Sequence, residues 1–400
     1  MKNLLITSAL TAALAVPAFA NDSIIDQIGA SNTADVTQTG GTGGESSILQ
    51  TGDGDSATVT QSDGTGVGLG TNLADIDQLG GSGSQAATIT QTNASNGAQN
   101  SATILQDSTQ GGNTALIDQD GDGNIASAQQ GPADAINCTV FGCGGTTPAD
   151  ITNSFASIDQ TGSTNTATTT QIVGSNGGDG NGALITQDGT SNTADIAQGT
   201  GAVAASGLFF PSFPNPASTD NANFADIVQT GDNNTSAIFH GGEAGFATNS
   251  QDGGGNDSMV VQSGLGNSAT VGQIGDDNIS DVSQTSANGD LPVFPTGVTA
   301  DVNQIGNRNE SLITQAPLGG HTASVMQMSD DSFSLIEQDG LLNTADVLQE
   351  MTDQNSEIFQ TGPSVVGPLG NTALVSQVAS AGNNSLVTQG GVGNFSDVMQ

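Results

Sequence analysis

Two cysteines, two histidines and a short run of aspartates are the residues whose types and spacing could do chemistry. Cys138 and Cys143 are near enough in sequence to close a small loop, and two cysteines in an exported chain read as a disulfide. With no histidine beside them they lack the ligands for a metal site. Asp118, Asp120, Asp122 and Gly123 begin like a calcium loop, but Gln129 stands at the twelfth position, where a bidentate Glu belongs. Diffuse attraction of divalent cations to an acidic surface is the better reading of these aspartates. His240 and His321 each replace a residue type that recurs along the chain, so they read as variants of a structural position rather than a catalytic pair. No nucleophile with its base, phosphate-binding glycine loop or metal motif survives inspection. The expectation is a non-enzymatic chain with no cofactor, no metal and no catalytic residue.

The first residues, MKNLLITSALTAALAVPAFA, have the form of a secretory signal. Lys2 is a minimal basic region, residues 4–16 are apolar, and Ala18-Phe19-Ala20 is a small-x-small cleavage site. Residues 1–20 are therefore predicted to be removed, leaving residues 21–400. No later segment approaches the roughly 18 apolar residues of a membrane span. Without Lys2, Arg308 is the lone basic residue against 40 acidic ones. That balance excludes nucleic acid as a partner, since its phosphates are bound by basic side chains, and it excludes anionic membrane surfaces. Trp and Tyr are absent and Gly numbers 57. Bulk composition of this kind points to disorder, and only periodicity overturns it.

The segment Asn-x-Ala-x-Val-x-Gln recurs along the whole chain. Copies include Asn32 to Gln38, Asn72 to Gln78, Asn192 to Gln198, Asn267 to Gln273 and Asn343 to Gln349, among about 28 in all. Asn, Ala, Val and Gln share one parity, so on a strand they face one way, while Thr, Asp and Ser between them face the other. On a helix the same set would spread around the cylinder. Corners of the form Gln-x-Gly-x-x-Asn join the strands, as at Gln187, Gln229 and Gln273. They are too short for a crossover helix, and their Gly permits the positive φ of a tight turn. Strand, corner, strand, corner at fixed length is a coil with two strands per turn, and stacked coils must share a core. At the second inward position Ser and Ala alternate at both ends of the chain, as in Ser23, Ala34, Ser46 and Ala57 and again in Ser258, Ala269, Ser280, Ala300, Ser311 and Ala323, with Ala throughout the middle and Ser396 the exception. The unit is thus 22 residues, strand–corner–strand, and the predicted fold is an all-β β-solenoid with cross-β stacking. An inward Gln would sit above its counterpart one coil away, roughly 4.8 Å along the axis, where amides can bond into a ladder.

The unit Ser23-Ile-Ile-Asp-Gln27 through Asn32 to Gln38, Ser-x3-Gln-x-Gly-x2-Asn-x-Ala-x3-Gln, resembles the curlin repeat of bacterial curli subunits. The resemblance covers most of residues 21–400. It implies a structural subunit of a secreted functional amyloid fibre at the cell surface, contributing to biofilm matrix, adhesion and cell aggregation. The implied partners are further copies of the chain, a minor or nucleating subunit, and an outer-membrane secretion pore. The implied ladder residues are Gln27, Asn32 and Gln38, with equivalents at Asn72, Gln78, Asn192, Gln198, Asn267, Gln273, Asn343 and Gln349. The chain departs from the enteric subunits in its many more repeats, its insertions and its near lack of basic and large aromatic residues.

Insertions interrupt the rhythm at 131–151, 172–179, 199–222, 285–297 and 361–369. All follow odd-numbered strands and should project from one edge of the solenoid, which in repeat arrays is often the binding face. Two of them hold Phe/Pro-rich stretches, 207–216 and 291–295, expected to pack on the sheet or touch a partner. Outward Thr pairs (Thr58/Thr60, Thr88/Thr90, Thr168/Thr170) do not recur on consecutive strands, which argues against a flat ice-binding array. The competing function is a monomeric or surface-tethered acidic solenoid adhesin. Because the repeat starts near Asn21 and runs to Gln400, both terminal coils are expected to leave strand edges unpaired, an invitation to another chain.

Overall fold

The computed structural model describes residues 21–40, 43–63, 72–80, 83–93, 98–108, 112–132, 151–173, 178–199, 222–286, 297–316, 319–362 and 370–400. Every described element is a strand. Two 14-stranded sheets alternate along the chain, so that Asp22–Gln27 opens the first, Thr33–Gly40 the second, Glu45–Thr51 returns to the first, and so on to Asn384–Gly390 and Phe395–Met399. All pairings are parallel and in register, with Gln over Gln and Ala over Ala from coil to coil. The chain is a β-solenoid of two facing sheets. The Ser/Ala alternation has its cause here. The Ser column (Ser258, Ser280, Ser311, Ser334) lies in the first sheet, and the Ala column (Ala269, Ala300, Ala323, Ala345) in the second.

The core between the sheets is thin and continuous. Its apolar part is one column per sheet, mostly Ile or Val, such as Ile48, Ile76 and Ile104 facing Val59, Ile89 and Ile117, flanked by alanines and interrupted by Ala128 and Thr169 in the first sheet and by Asn249 in the second. β-branched side chains have few rotamers to lose on a strand, and Ala lets the two sheets approach closely. Ala34, Val36 and Val398 in the end coils are only partly buried, whereas Ala345 and Val347 are fully inside.

Corners are tighter than Gly alone explains. The residue just before the strand-opening position is also left-handed, and there glycines such as Gly123, Gly255 and Gly266 are matched by residues with side chains: Ser191 (φ 60), Asn233 (φ 59), Asp277 (φ 58), Arg308 (φ 57) and Leu342 (φ 57). At the Gly position the constraint is contact as well as φ. A Cβ on Gly189 (φ +132) would fall on the carbonyl oxygen of Gly231 in the next coil, and one on Gly231 (φ +106) on that of Gly253.

The insertions at 131–151, 172–179, 199–222, 285–297 and 361–369 all leave strands of the first sheet and enter the second, so they share one edge. Two of them end side by side, Ile151–Thr152 pairing in parallel with Gly178–Asp179. The opposite edge is not uniformly tight either, since the connections Asp63 to Leu73 and Thr92 to Ser101 also exceed the standard corner. Most of the insertions, with both Phe/Pro stretches and Cys138 and Cys143, lie outside the described residues, as do residues 1–20.

Sheet neighbours are alternate strands of the sequence, which corrects the threonine argument. Thr58 and Thr60 lie directly beside Thr88 and Thr90. The paired grid stops after those two strands, since Asp35 stands beside Thr58, although Thr37 still lies beside Thr60, and Leu116 and Asp118 follow on the other side.

Candidate functional site: two amide ladders

In the second sheet, Gln38, Gln61, Gln91, Gln119, Gln160, Gln187 and Gln229 are joined by side-chain hydrogen bonds of 2.6–2.9 Å, each Nε2 donating to the Oε1 of the next coil. The line continues unbroken through Gln251, Gln273, Gln304, Gln327, Gln349 and Gln377 to Gln400. The second N–H of each amide crosses the core to a strand-opening carbonyl of the other sheet, as in Gln61 to Glu45 O (3.1 Å) and Gln349 to Phe333 O (3.0 Å). A buried Gln here spends both donors and its acceptor, which removes the cost of burying it. It also ties coil to coil and sheet to sheet. Glu has no amide N–H to donate, and Asn is too short to make both links.

The first sheet carries the same line from Gln27 through Gln50, Gln78, Gln106 and Gln130 to Gln171 and Gln198. It resumes from Gln262 to Gln284, Gln315, Gln338, Gln360 and Gln389. Between the two runs stands His240, in register with Gln198 and Gln262. It is buried, neither ring nitrogen has a hydrogen-bond partner, and the Gln262 Oε1 is left without a donor. Burial pushes the His240 imidazole down to about 3. Sequence reading places His240 in the ladder; the structure adds that it is the ladder's one break among the described residues.

The asparagines stack in register too, but they bond mainly to backbone; direct amide–amide bonds join Asn278 to Asn256 and Asn394 to Asn371, at 3.1 Å each. Asn192 Oδ1 accepts from Asn234 N of the next coil (2.9 Å), and its Nδ2 donates to Gly231 O (2.7 Å). Asn32 does the same with Asp55 N and Gly52 O. Asn72 accepts from Asn100 N, while Asn267 and Asn343 accept from Val298 N and Asn371 N and donate to carbonyls of their own preceding corners, Ser263 O and Asp339 O. The asparagine is a corner clamp. It satisfies the strand-opening N–H and the Gly carbonyl that the turn leaves free. His321 takes this position once, its Nδ1 accepting from Asn343 N at 3.3 Å.

The aspartates that resemble a calcium loop do not converge. Asp118 and Asp120 are on the outer face of the strand Thr114–Asp122 while Gln119 between them is in the ladder. Asp118 lies opposite Asp159 on the neighbouring strand. Burial first, then Asp159 and Asp120, raises its carboxyl above the usual range. Among the described residues no group of three or more His, Cys, Asp or Glu side chains is placed to hold a metal ion.

The sequence profile of the Curlin associated repeat matches residues 255–285. No curated protein matches the chain. The matched segment contains the strands Asp257–Leu265, Ser268–Ile274 and Ile279–Thr285, which is one first-sheet, second-sheet, first-sheet passage with its Gln262, Gln273 and Gln284 rungs. The coils on either side repeat that register without a shift, so the match at residues 255–285 supports assigning the chain to the curlin-repeat family.

Proposed function

We propose that the chain is the structural subunit of a curli-like extracellular amyloid fibre, built by stacking of copies end to end. The observation that carries this reading is the direction of the ladders. Every Gln–Gln bond points the same way along the axis, so any cross-section presents Gln acceptors and open strand edges on one side and matching donors on the other. Such a surface is complementary to the opposite end of an identical molecule, a heterologous contact that propagates rather than closes. Among the described residues, Asp22–Gln27 and Thr33–Gly40 have a sheet neighbour on one side only, as do Asn384–Gly390 and Phe395–Met399. Their inward apolar side chains are left partly in water: Ile25 is 46% exposed against 1% for Ile48 beside it one coil in, and Val36 and Val398 are only partly buried. Parallel strands added there would bury them and extend both ladders.

On this reading residues 1–20 direct export, the chain leaves through an outer-membrane pore, and a nucleating partner starts the stack. The fibre then serves adhesion and biofilm matrix by its presence rather than by catalysis. The test is electron microscopy and fibre diffraction of the purified chain without residues 1–20, incubated with and without preformed seeds. Seeded fibres with reflections near 4.8 Å and 10 Å are expected. Persistent monomers at high concentration would sink the fibre reading and leave the acidic solenoid adhesin.

A further inference from the structure

One column on the outside of the second sheet changes character along the molecule. It is the position just after each ladder glutamine, at the edge opposite the main insertions. In the first coils it is polar, running Thr39, Ser62, Thr92, Asp120, Thr161 in register and reaching Asp252. It then becomes Ile274 and Ile305, which are paired, followed by Met328, Glu350 and Val378, whose backbone amides continue the same ladder. Met326 stands beside this column on its strand and Met351 follows Glu350 in the next corner. Ile274 is 51% exposed, Met326 and Met328 39% each. Exposed apolar side chains gathered like this mark a contact surface, and methionine adapts to varied partners.

Immediately beside the stripe the corners form an acidic row. Asp276 and Asp277, Asp330 and Asp331, and Asp353 occupy equivalent places in the corners after Gln273, Gln327 and Gln349, with Asn307 and Arg308 in the coil between the first two pairs, and Glu350 lies within the stripe itself. The row is fixed in position. The carboxylate of Asp276 accepts from Gly254 N and that of Asp330 from Asn307 N, both at 2.8 Å. Arg308, the one cation outside residues 1–20, lies in this row and is already paired with Asp331 through two bonds of 2.6 and 2.7 Å.

We propose that this edge, from Ile274 to Val378, docks a segment of another protein that is apolar on one face and basic on the other. The stripe spans five second-sheet strands, about 19 Å at the usual strand spacing, and a helix of about 13 residues is that long. Charge selects the occupant. A second copy laid along the same edge would set one acidic row against another, with no free cation to offset it. A basic amphipathic segment meets both features at once. The surface is lateral, so it is present whether or not the chains stack end to end.

The test uses the chain without residues 1–20, kept monomeric, and a synthetic Leu/Lys helical peptide with its leucines on one face. A scrambled peptide of equal charge is the control, because a strongly acidic chain attracts any cation. At about 0.15 M salt, where diffuse attraction is screened, the amphipathic peptide is expected to bind at least tenfold more tightly than the scrambled one. Met326→Ser with Met328→Ser should remove most of that difference, and Leu116→Ser, an exposed apolar site elsewhere on the same sheet, should not. On the unmutated chain the bound peptide should slow peroxide oxidation of Met326, Met328 and Met351 relative to Met259. Equal binding of the two peptides, or no protection of these methionines, overturns the proposal. So does a double variant that leaves peptide binding intact and abolishes lateral pairing of the chain with itself, which would make a second copy the occupant.

Discussion

At position 240 a histidine interrupts a column of glutamines, and its effects follow from what it cannot do. Imidazole cannot supply the two donors and one acceptor, in that geometry, by which Gln198 and Gln262 would be linked. The opposing strand opens with Gly245 in place of Asn, and a Cβ there would sit 3.6 Å from the His240 ring and 3.1 Å from the Gln262 Oε1. The missing side chain makes room for the larger ring. Protonation is unfavourable in this site, so folded His240 titrates at about 3 while the unfolded chain takes up its proton near 6.5. The unfolded state therefore binds more protons between those values, and the contribution of this residue to stability is present above about 6.5 and falls away as pH drops towards 3. His240→Gln is expected to rejoin the ladder and to stabilise by about 1 kcal/mol for each hydrogen bond restored. It should also remove that part of the acid sensitivity, read as denaturant midpoints from pH 7 to pH 4. A variant no more stable than the parent, with the same pH profile, would mean that the break is harmless.

At the scale of strands and corners, the glycine of each corner is held by the coil below as much as by its own φ. Gly189 lies against the Gly231 carbonyl, which also accepts the Asn192 amide at 2.7 Å. Gly189→Ala must push that carbonyl away and break the clamp, at a cost of roughly 2–4 kcal/mol. Ala244 sits in the left-handed region at φ 53, and Ala244→Gly should be neutral or stabilising by less than about 1 kcal/mol. Equal losses in the two variants, measured by chemical denaturation, would show that contact between coils is not what selects glycine.

These elements also show what a sequence reader could and could not see. The strands were legible because an inward set at every second residue fits nothing else, and the two sheets because Ser and Ala alternate in the same phase on either side of a middle stretch that is Ala in both. The second left-handed corner residue was hidden, because Ser191, Asp277, Arg308 and Leu342 share a conformation and no side-chain type. The asparagine clamp was hidden for a related reason. Asn over Asn in register looks the same in sequence whether the amides bond one another or the backbone between them. The apolar stripe could have been found by reading the residue after every second-sheet Gln as a column of its own.

For the whole molecule the governing quantity is charge, a formal −38 over 400 residues. The sequence leads one to expect outward aspartates such as Asp35, Asp75, Asp195, Asp226, Asp301 and Asp346 to stack on one another and repel. The structure spaces them. Asp301 is separated from Asp346 by Ser324, and Asp226 lies between Leu184 and Thr248. Asp118 against Asp159 is a directly opposed pair. Carboxylates are nevertheless pushed up by burial, among them Asp77, Asp226, Asp257 and Asp281. Asp195, buried on the outer face beside Ala197, rises to about 7. For such groups the folded chain binds protons more readily than the unfolded one, so their contribution is full below about 4 and is lost as pH rises through the raised value. Mild acid therefore favours the fold through the aspartates while it opposes it through His240. Salt acts on the remaining repulsion, since the Debye length falls from about 30 Å at 0.01 M to about 3 Å at 1 M. Seeded elongation is expected to quicken from about 10 mM to 1 M sodium chloride, because each arriving chain must approach an end as acidic as itself. It should also quicken from pH 7.5 to pH 5, and Asp195→Asn should blunt the pH response while leaving the salt response unchanged. A rate that is flat or falling with salt would mean that the spacing of the aspartates has already removed charge as the barrier to assembly, and that the acidic surface serves solubility instead.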